Sequence, residues 1–200
     1  MSEYTYRQRD GAEANAPALF LFHGTGGDEN QFFELGQHLL PKGRLVAPRG
    51  DVSEHGANRY FKRTGEGVYD MADLARAVTK MAGFVETRIA ESRPSEVIGL
   101  GYSNGANILA SVAFERPELF DRLILMHPLI PFAPNDAEGL AGRKVLITAG
   151  RRDPIGPASE TQRLADYFTR QGADVTLHWH EGGHELRQDE LAAVEAFLHG

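Results

Sequence analysis

Two hundred residues, 42% of them apolar and 24% charged, suffice for one domain with a sizeable core, in proportions ordinary for a globular protein. A formal net charge of -7 lacks the basic surplus of a nucleic-acid-binding face, which excludes that class of partner. The absence of cysteine excludes a disulfide framework, a cysteine nucleophile and thiolate metal ligands, and agrees with a reducing cytoplasm. Residues 1–6 show neither a basic start nor an apolar stretch, so no leader is expected, and no apolar run has the length of a membrane span. The expectations are a cytoplasmic protein, one domain over residues 1–200 and no membrane insertion.

In chain order, residues 4–9 alternate as an edge strand, and 18–22 form a continuous apolar strand. A short helix is predicted near residues 30–40, ending before Pro41. A strand at 44–47 leads into a long irregular stretch, 48–69; a loop of that length in a compact domain is functional or mobile. Met71, Leu74, Val78, Met81, Val85 and Ile89 step by three or four residues, giving a helix with Asp70 as N-cap. Strands are predicted at 96–100, 122–126, 144–149 and 175–179. A helix from Ala106 to Glu115 follows the first of these. Another opens at Gly156-Pro157 and stops at Gly172, and a last one carries Leu191, Val194, Phe197 and Leu198. Strands alternating with helices predict an α/β fold: a mostly parallel sheet of about seven strands, covered by helices on both faces. In such sheets ligands bind beyond the carboxyl ends of the strands. That rule singles out 23–28, Ser103, 127–134, 153–157 and 180–185.

Gly101-Tyr102-Ser103-Asn104-Gly105 matches Gly-x-Ser-x-Gly and falls between a predicted strand and a predicted helix. A strand that turns sharply into a helix at a serine lifts the hydroxyl clear of the backbone and aims helical N–H groups at its target. A serine is a poor nucleophile until a base takes its proton and an acid orients that base. In this kind of sheet the order is serine, acid, histidine. Asp153 follows the 144–149 strand, although Asp-Pro also favours a turn by itself. His184 follows the 175–179 strand on a Gly-Gly turn. The proposed catalytic set is therefore Ser103, Asp153 and His184. Backbone N–H groups of Asn104 and of Thr25, in the His23-Gly24-Thr25-Gly26-Gly27 loop, are the expected oxyanion donors. Among the other histidines, His127 also follows a strand and is a candidate to line the site, whereas His178 and His180 alternate around Trp179 as structural residues.

His180-Glu181-Gly182-Gly183-His184 also spells His-Glu-x-x-His, which binds zinc only on a helix. Two glycines there would cost roughly 2 kcal/mol of helix propensity. The zinc-hydrolase alternative through His180 and His184 is thus disfavoured, and no metal or other cofactor is expected. A non-catalytic binding module on the same scaffold is a further alternative, disfavoured because all three triad residue types are present.

The segments 19–28, 101–105, 149–154 and 182–184, in that order, resemble the α/β-hydrolase fold and, within it, the small capless phospholipase/carboxylesterase family. The resemblance covers nearly the whole chain. Residues 50–63 and 66–70 look like a branch of bacterial hydrolases related to hydroquinone-responsive esterases. The resemblance implies a fold without a cap domain and carboxylesterase activity, with lysophospholipase or acyl-thioesterase activity on the same triad as alternatives. The partner expected is a small-molecule ester of short to medium acyl length, and a homodimer is compatible with the sequence. Candidate pocket walls are Phe32, Phe33, Tyr60, Phe61, Leu129 and Ile155, each of which could equally be core, with Arg59 for an acidic substrate group. His127-Pro128 stands where the family usually carries Ser-Gly, a departure at the edge of the site.

Overall fold

The structure, a computed structural model, describes residues 3–200; Met1 and Ser2, part of the segment read for a leader, lie outside them. The strands are β1 (Tyr6–Arg9), β2 (Ala18–Phe22), β3 (Arg44–Pro48), β4 (Val52–Glu54), β5 (Ala57–Arg59), β6 (Arg63–Gly65), β7 (Val68–Tyr69), β8 (Val97–Tyr102), β9 (Arg122–Met126), β10 (Lys144–Gly150) and β11 (Asp174–His180). The α-helices are α1 (Phe33–Leu39), α2 (Met71–Ser92), α3 (Asn104–Glu115), α4 (Ala158–Arg170) and α5 (Gln188–His199). Seven strands form one sheet in the order β1-β3-β2-β8-β9-β10-β11. Only β1 runs antiparallel, against β3.

Strand alternation sorts the core into two layers. Phe20, Phe22, Leu123, Leu125, Val145 and Ile147 pack on one face with α2, α3 and α4. Leu19, Leu21, Ile124, Met126 and Leu146 pack on the other with α1 and α5. Both faces are covered, which is why the central strands read as unbroken apolar runs. Asp70 caps α2 by accepting the Asp73 N–H at 3.0 Å, and Gly172 closes the chain after α4 at φ +85°.

The 48–69 stretch is ordered rather than irregular. It folds as two antiparallel hairpins, β4 with β5 and β6 with β7. Their turns use left-handed residues at His55 (φ 51°), Gly56 (φ 88°) and Gly67 (φ 67°). Among the described residues no helical insertion forms a cap, and no helix is long and apolar enough to cross a membrane.

Candidate active site

Ser103 stands between β8 and α3 at φ 53° and ψ -117°, a conformation that L-residues avoid and that persists only where its surroundings impose it. The surroundings are backbone. The Ser103 N–H donates to the Met126 carbonyl at 2.9 Å, tying the elbow to the end of β9. A Cβ on Gly101 would come within 2.5 Å of the Gly105 backbone, and one on Gly105 would collide with the carbonyls of Phe22 and His23. Both glycines are thus required by close approach of main chain to main chain.

The Ser103 Oγ lies 2.9 Å from His184 Nε2, and His184 Nδ1 lies 2.7 Å from Asp153 Oδ2. Asp153 Oδ1 accepts the N–H groups of Ile155 and Gly156 at 2.8 and 3.0 Å. Burial alone would raise the Asp153 pKa. The hydrogen bonds from His127, His184, Gly156 and Ile155 outweigh it and hold the carboxyl well below its usual range. The loops carrying Asp153 and His184 touch through their backbones. Arg151 N–H donates to the His180 carbonyl and Arg152 N–H to the Gly182 carbonyl, each at 2.9 Å, and a Cβ on Gly150 would strike Gly183. Tyr102 completes the frame by donating its hydroxyl to the His184 carbonyl at 2.7 Å.

Thr25 and Asn104 both line the cavity beside Ser103, and among the described residues no acceptor takes either of their N–H groups. Asn104 opens α3, so the positive end of the helix faces the same point. The Thr25 loop is held from several sides. Gly26 N–H donates to the Asn58 carbonyl, Asn58 Nδ2 to the Gly27 carbonyl, and Arg59 Nη1 to Thr25 Oγ1 at 2.8 Å. His23, at the loop's base, accepts the Gly50 N–H on Nε2 and donates from Nδ1 to the Gly24 carbonyl. Its burial lowers its pKa, in keeping with that neutral form.

The cavity over Ser103 has a volume of about 200 Å³. Leu129 and Ile155 give it an apolar wall; Arg59, Arg63, Glu66 and Tyr69, from the two hairpins, give it a polar one. Of the residues proposed from sequence, Thr25, Arg59, Ser103, Asn104, Leu129, Ile155 and His184 meet here, with Asp153 behind His184. Three others do not reach it. Tyr60 and Phe61 are fully buried, and Phe32 packs edge-on against Tyr102 in the core beside α1. Tyr60 turns inward because its hydroxyl donates to the Pro48 carbonyl and its ring stacks on His23 at 4.7 Å. Phe61 follows it inward and meets Tyr69 edge-on. Phe33 likewise is buried, under the Arg7 guanidinium.

His127, the histidine expected to line the site, is among the residues of the cavity, and the structure adds Asn107, Glu190 and Thr148, which the sequence did not single out. Asn107 and Tyr102 line the cavity, and a buried group formed by His127, His180, Glu190 and Thr148 lies behind Asp153. The signal for Glu190 was its place in the stripe Glu190, Val194, Leu198, the buried face of α5. The zinc alternative loses its geometry. His180 ends β11 and points toward His127 and Glu190, whereas His184 stands on the following loop and faces Ser103 and Asp153.

The sheet with one antiparallel edge strand, helices on both faces and a serine at the β8–α3 turn define an α/β-hydrolase. Residues 7–193 match the Dienelactone hydrolase family, and the chain belongs to that family. It is 39% identical over 175 residues to MhqD of Bacillus subtilis, which carries the name of a hydrolase, covering 86% of this chain and 87% of that one. Among solved structures, Atu2452 of Agrobacterium tumefaciens, described as a protein of unknown function, superposes with a TM-score of 0.92 at 54% identity, covering 98% of this chain and 96% of that one. A carboxylesterase of Bacillus cereus superposes with a TM-score of 0.91 at 31% identity, covering 98% and 93%.

Proposed function

We propose that this hydrolase is a carboxylesterase acting on small esters with short acyl chains, through Ser103, His184 and Asp153. The observation that carries the reading is the unbroken chain Ser103–His184–Asp153, with contacts of 2.9 and 2.7 Å, beside a cavity that Thr25 and Asn104 also line. His184 takes the Ser103 proton as Oγ attacks the ester carbonyl, and the tetrahedral oxyanion is held by the Thr25 and Asn104 N–H groups. Collapse of that intermediate expels the alcohol, which leaves with the proton carried by His184. A water molecule, deprotonated by the same imidazole, then releases the acid and restores Ser103.

The preference for short acyl groups rests on the cavity of about 200 Å³, which is below the roughly 300–1,000 Å³ of sites that enclose drug-sized ligands. Arg59 is buried at the polar wall with its guanidinium on Thr25 Oγ1. It serves the oxyanion loop at least as directly as any substrate group.

The test is a series of nitrophenyl esters and acyl-thioesters of graded chain length, assayed with the wild type and Ser103→Ala, together with labelling by a fluorophosphonate probe. The expected result is turnover falling with acyl length, probe labelling at Ser103, and loss of both in the variant. Activity that survives Ser103→Ala would sink the mechanism, and a preference for long acyl chains would sink the substrate assignment.

A further inference from the structure

Asp153 has two imidazole partners. Its Oδ2 faces His184 Nδ1 at 2.7 Å and His127 Nδ1 at 3.1 Å. The second nitrogen of His127, Nε2, lies 3.1 Å from Glu190 Oε2. The side chains of His127 and Glu190 have no exposed surface. Glu190, in the first turn of α5, also accepts the Thr148 hydroxyl at 2.8 Å and the Arg187 N–H at 2.6 Å.

The protons in this group follow from the geometry. Both ring nitrogens of His127 face carboxylate oxygens, and a bare lone pair against either would be repulsive, so both carry a proton and the ring is an imidazolium. His180 Nδ1 accepts the Gly182 N–H at 3.0 Å, so its own proton is on Nε2, which lies 3.3 Å from His127 Nε2 and 3.5 Å from Glu190 Oε1; with a proton on each of the two Nε2 atoms, the Glu190 carboxylate is the acceptor they share. The atoms of His127, His180 and Glu190 lie close enough together to suit a metal ion. A metal ligand needs the opposite arrangement, with a free lone pair inward and the outer nitrogen donating. The backbone at Gly182 imposes the wrong tautomer on His180, so the cluster is a proton-bearing one. In agreement, burial lowers the His127 pKa but its bonds to Asp153 and Glu190 outweigh that and push it up to about 9.

We propose that His127 and Glu190 form a buried charged couple that positions Asp153 and sets the pH range over which His184 serves as base. Neither touches substrate through the couple; both are positioning residues acting through Asp153. The inference rests on the catalytic reading of Ser103 and His184. The charge on His127 draws on the Asp153 carboxylate that His184 also uses, and Glu190 supplies the counter-charge that lets an imidazolium exist in the core. The groups facing His127 are Asp153 from the β10–α4 loop, Glu190 from α5, His180 from β11, His184 from the β11–α5 loop and the Tyr102 ring from β8. His184 faces Ser103, Asp153, His127 and Tyr102, and shares the cavity with Arg59, Arg63 and Glu66.

The experiment is the pH dependence of kcat/KM on a short nitrophenyl ester for wild type, His127→Gln, Glu190→Gln and Ser103→Ala. Removing the positive charge in His127→Gln leaves the full Asp153 charge on His184, so the acidic limb should move up by about 0.5–1 pH unit. In Glu190→Gln the imidazolium loses its counter-charge and gives up its proton, so the limb should again move up, by less than in His127→Gln because a negative charge is lost with the positive one. A merely structural role would lower activity without moving the limb, and the limb staying in place in both variants would overturn the proposal. Activity remaining in Ser103→Ala would instead overturn the catalytic reading beneath it. Should either variant fail to fold, nitrogen NMR of histidine-labelled wild type decides: one buried histidine protonated on both nitrogens at pH 8 is expected, and none overturns the proposal.

Discussion

The Tyr102 hydroxyl donates to the His184 carbonyl at 2.7 Å, so the residue before the nucleophile holds the backbone of the base. The same ring leaves no room for a side chain on Gly24, at the start of the loop that carries Thr25. One tyrosine therefore spaces three segments that must agree within a fraction of an ångström.

Tyr102→Phe keeps that spacing and removes the bond. The expected outcome is a roughly tenfold fall in kcat with KM little changed, and about 1 kcal/mol lost in stability. Steady-state kinetics and thermal unfolding check both numbers, and an unchanged kcat would deny the tyrosine its holding role.

Asn104 is assigned two roles: its N–H is the proposed oxyanion donor, and its Oδ1 accepts the buried Tyr60 N–H at 2.8 Å. Asn104→Ala keeps the first and orphans the second. Stability should drop by about 1–3 kcal/mol, while turnover falls less than the roughly 10²–10³-fold cost of losing an oxyanion donor. Denaturant unfolding and kinetics on the same preparation separate the two effects.

Gly105→Ala places a methyl group against the Phe22 and His23 carbonyls, which belong to the sheet and its first loop and cannot move independently. Destabilisation above about 3 kcal/mol, or failure to accumulate as folded protein, is expected. Chemical unfolding of the variant within about 1 kcal/mol of wild type would contradict the steric account of the elbow.

The buried charges also shape stability against pH. His127 titrates near 6.5 when unfolded and is pushed up to about 9 in the fold, so its contribution is complete below pH 6.5 and is lost as pH rises through 9. Asp153 and Glu190 are held below their ordinary values despite burial, so theirs is complete above the usual carboxylate range and lost as pH falls. Between pH 6.5 and 9.5 the wild type should lose on the order of 3 kcal/mol that His127→Gln does not. Urea unfolding at several pH values measures this, and parallel curves for the two proteins would refute it.

The meeting of Ser103, Asp153 and His184 was legible because each stands after a strand, in an order that one fold uses. The walls were less so. An aromatic residue in a loop carries no sign of which way it faces; Tyr60 turned inward on contacts to Pro48 and His23, and Phe61 on its packing against Tyr69. Glu190 was hidden for another reason. An acidic residue in the first turn of a helix suits the helix dipole at the surface, and only its spacing to Val194 and Leu198 marks it as buried. Charge in a core is recognisable once its partners are known, and Thr148 lies on β10 while His127 follows β9, both far from α5 in sequence.

The strand ends that carry the site are stitched to one another: Ser103 to Met126, His127 to Thr148 and Arg151 to His180. The catalytic groups thus occupy the last rungs of the sheet ladder, and β11 lies at its edge. A chain with every other strand in place but β11 unpaired would keep Ser103, Asp153 and most of its buried apolar residues, yet would not hold His184 beside them. On the proposed mechanism, hydrolysis therefore reports on the pairing of an edge strand, and an assay of activity doubles as an assay of whether that end of the sheet is complete.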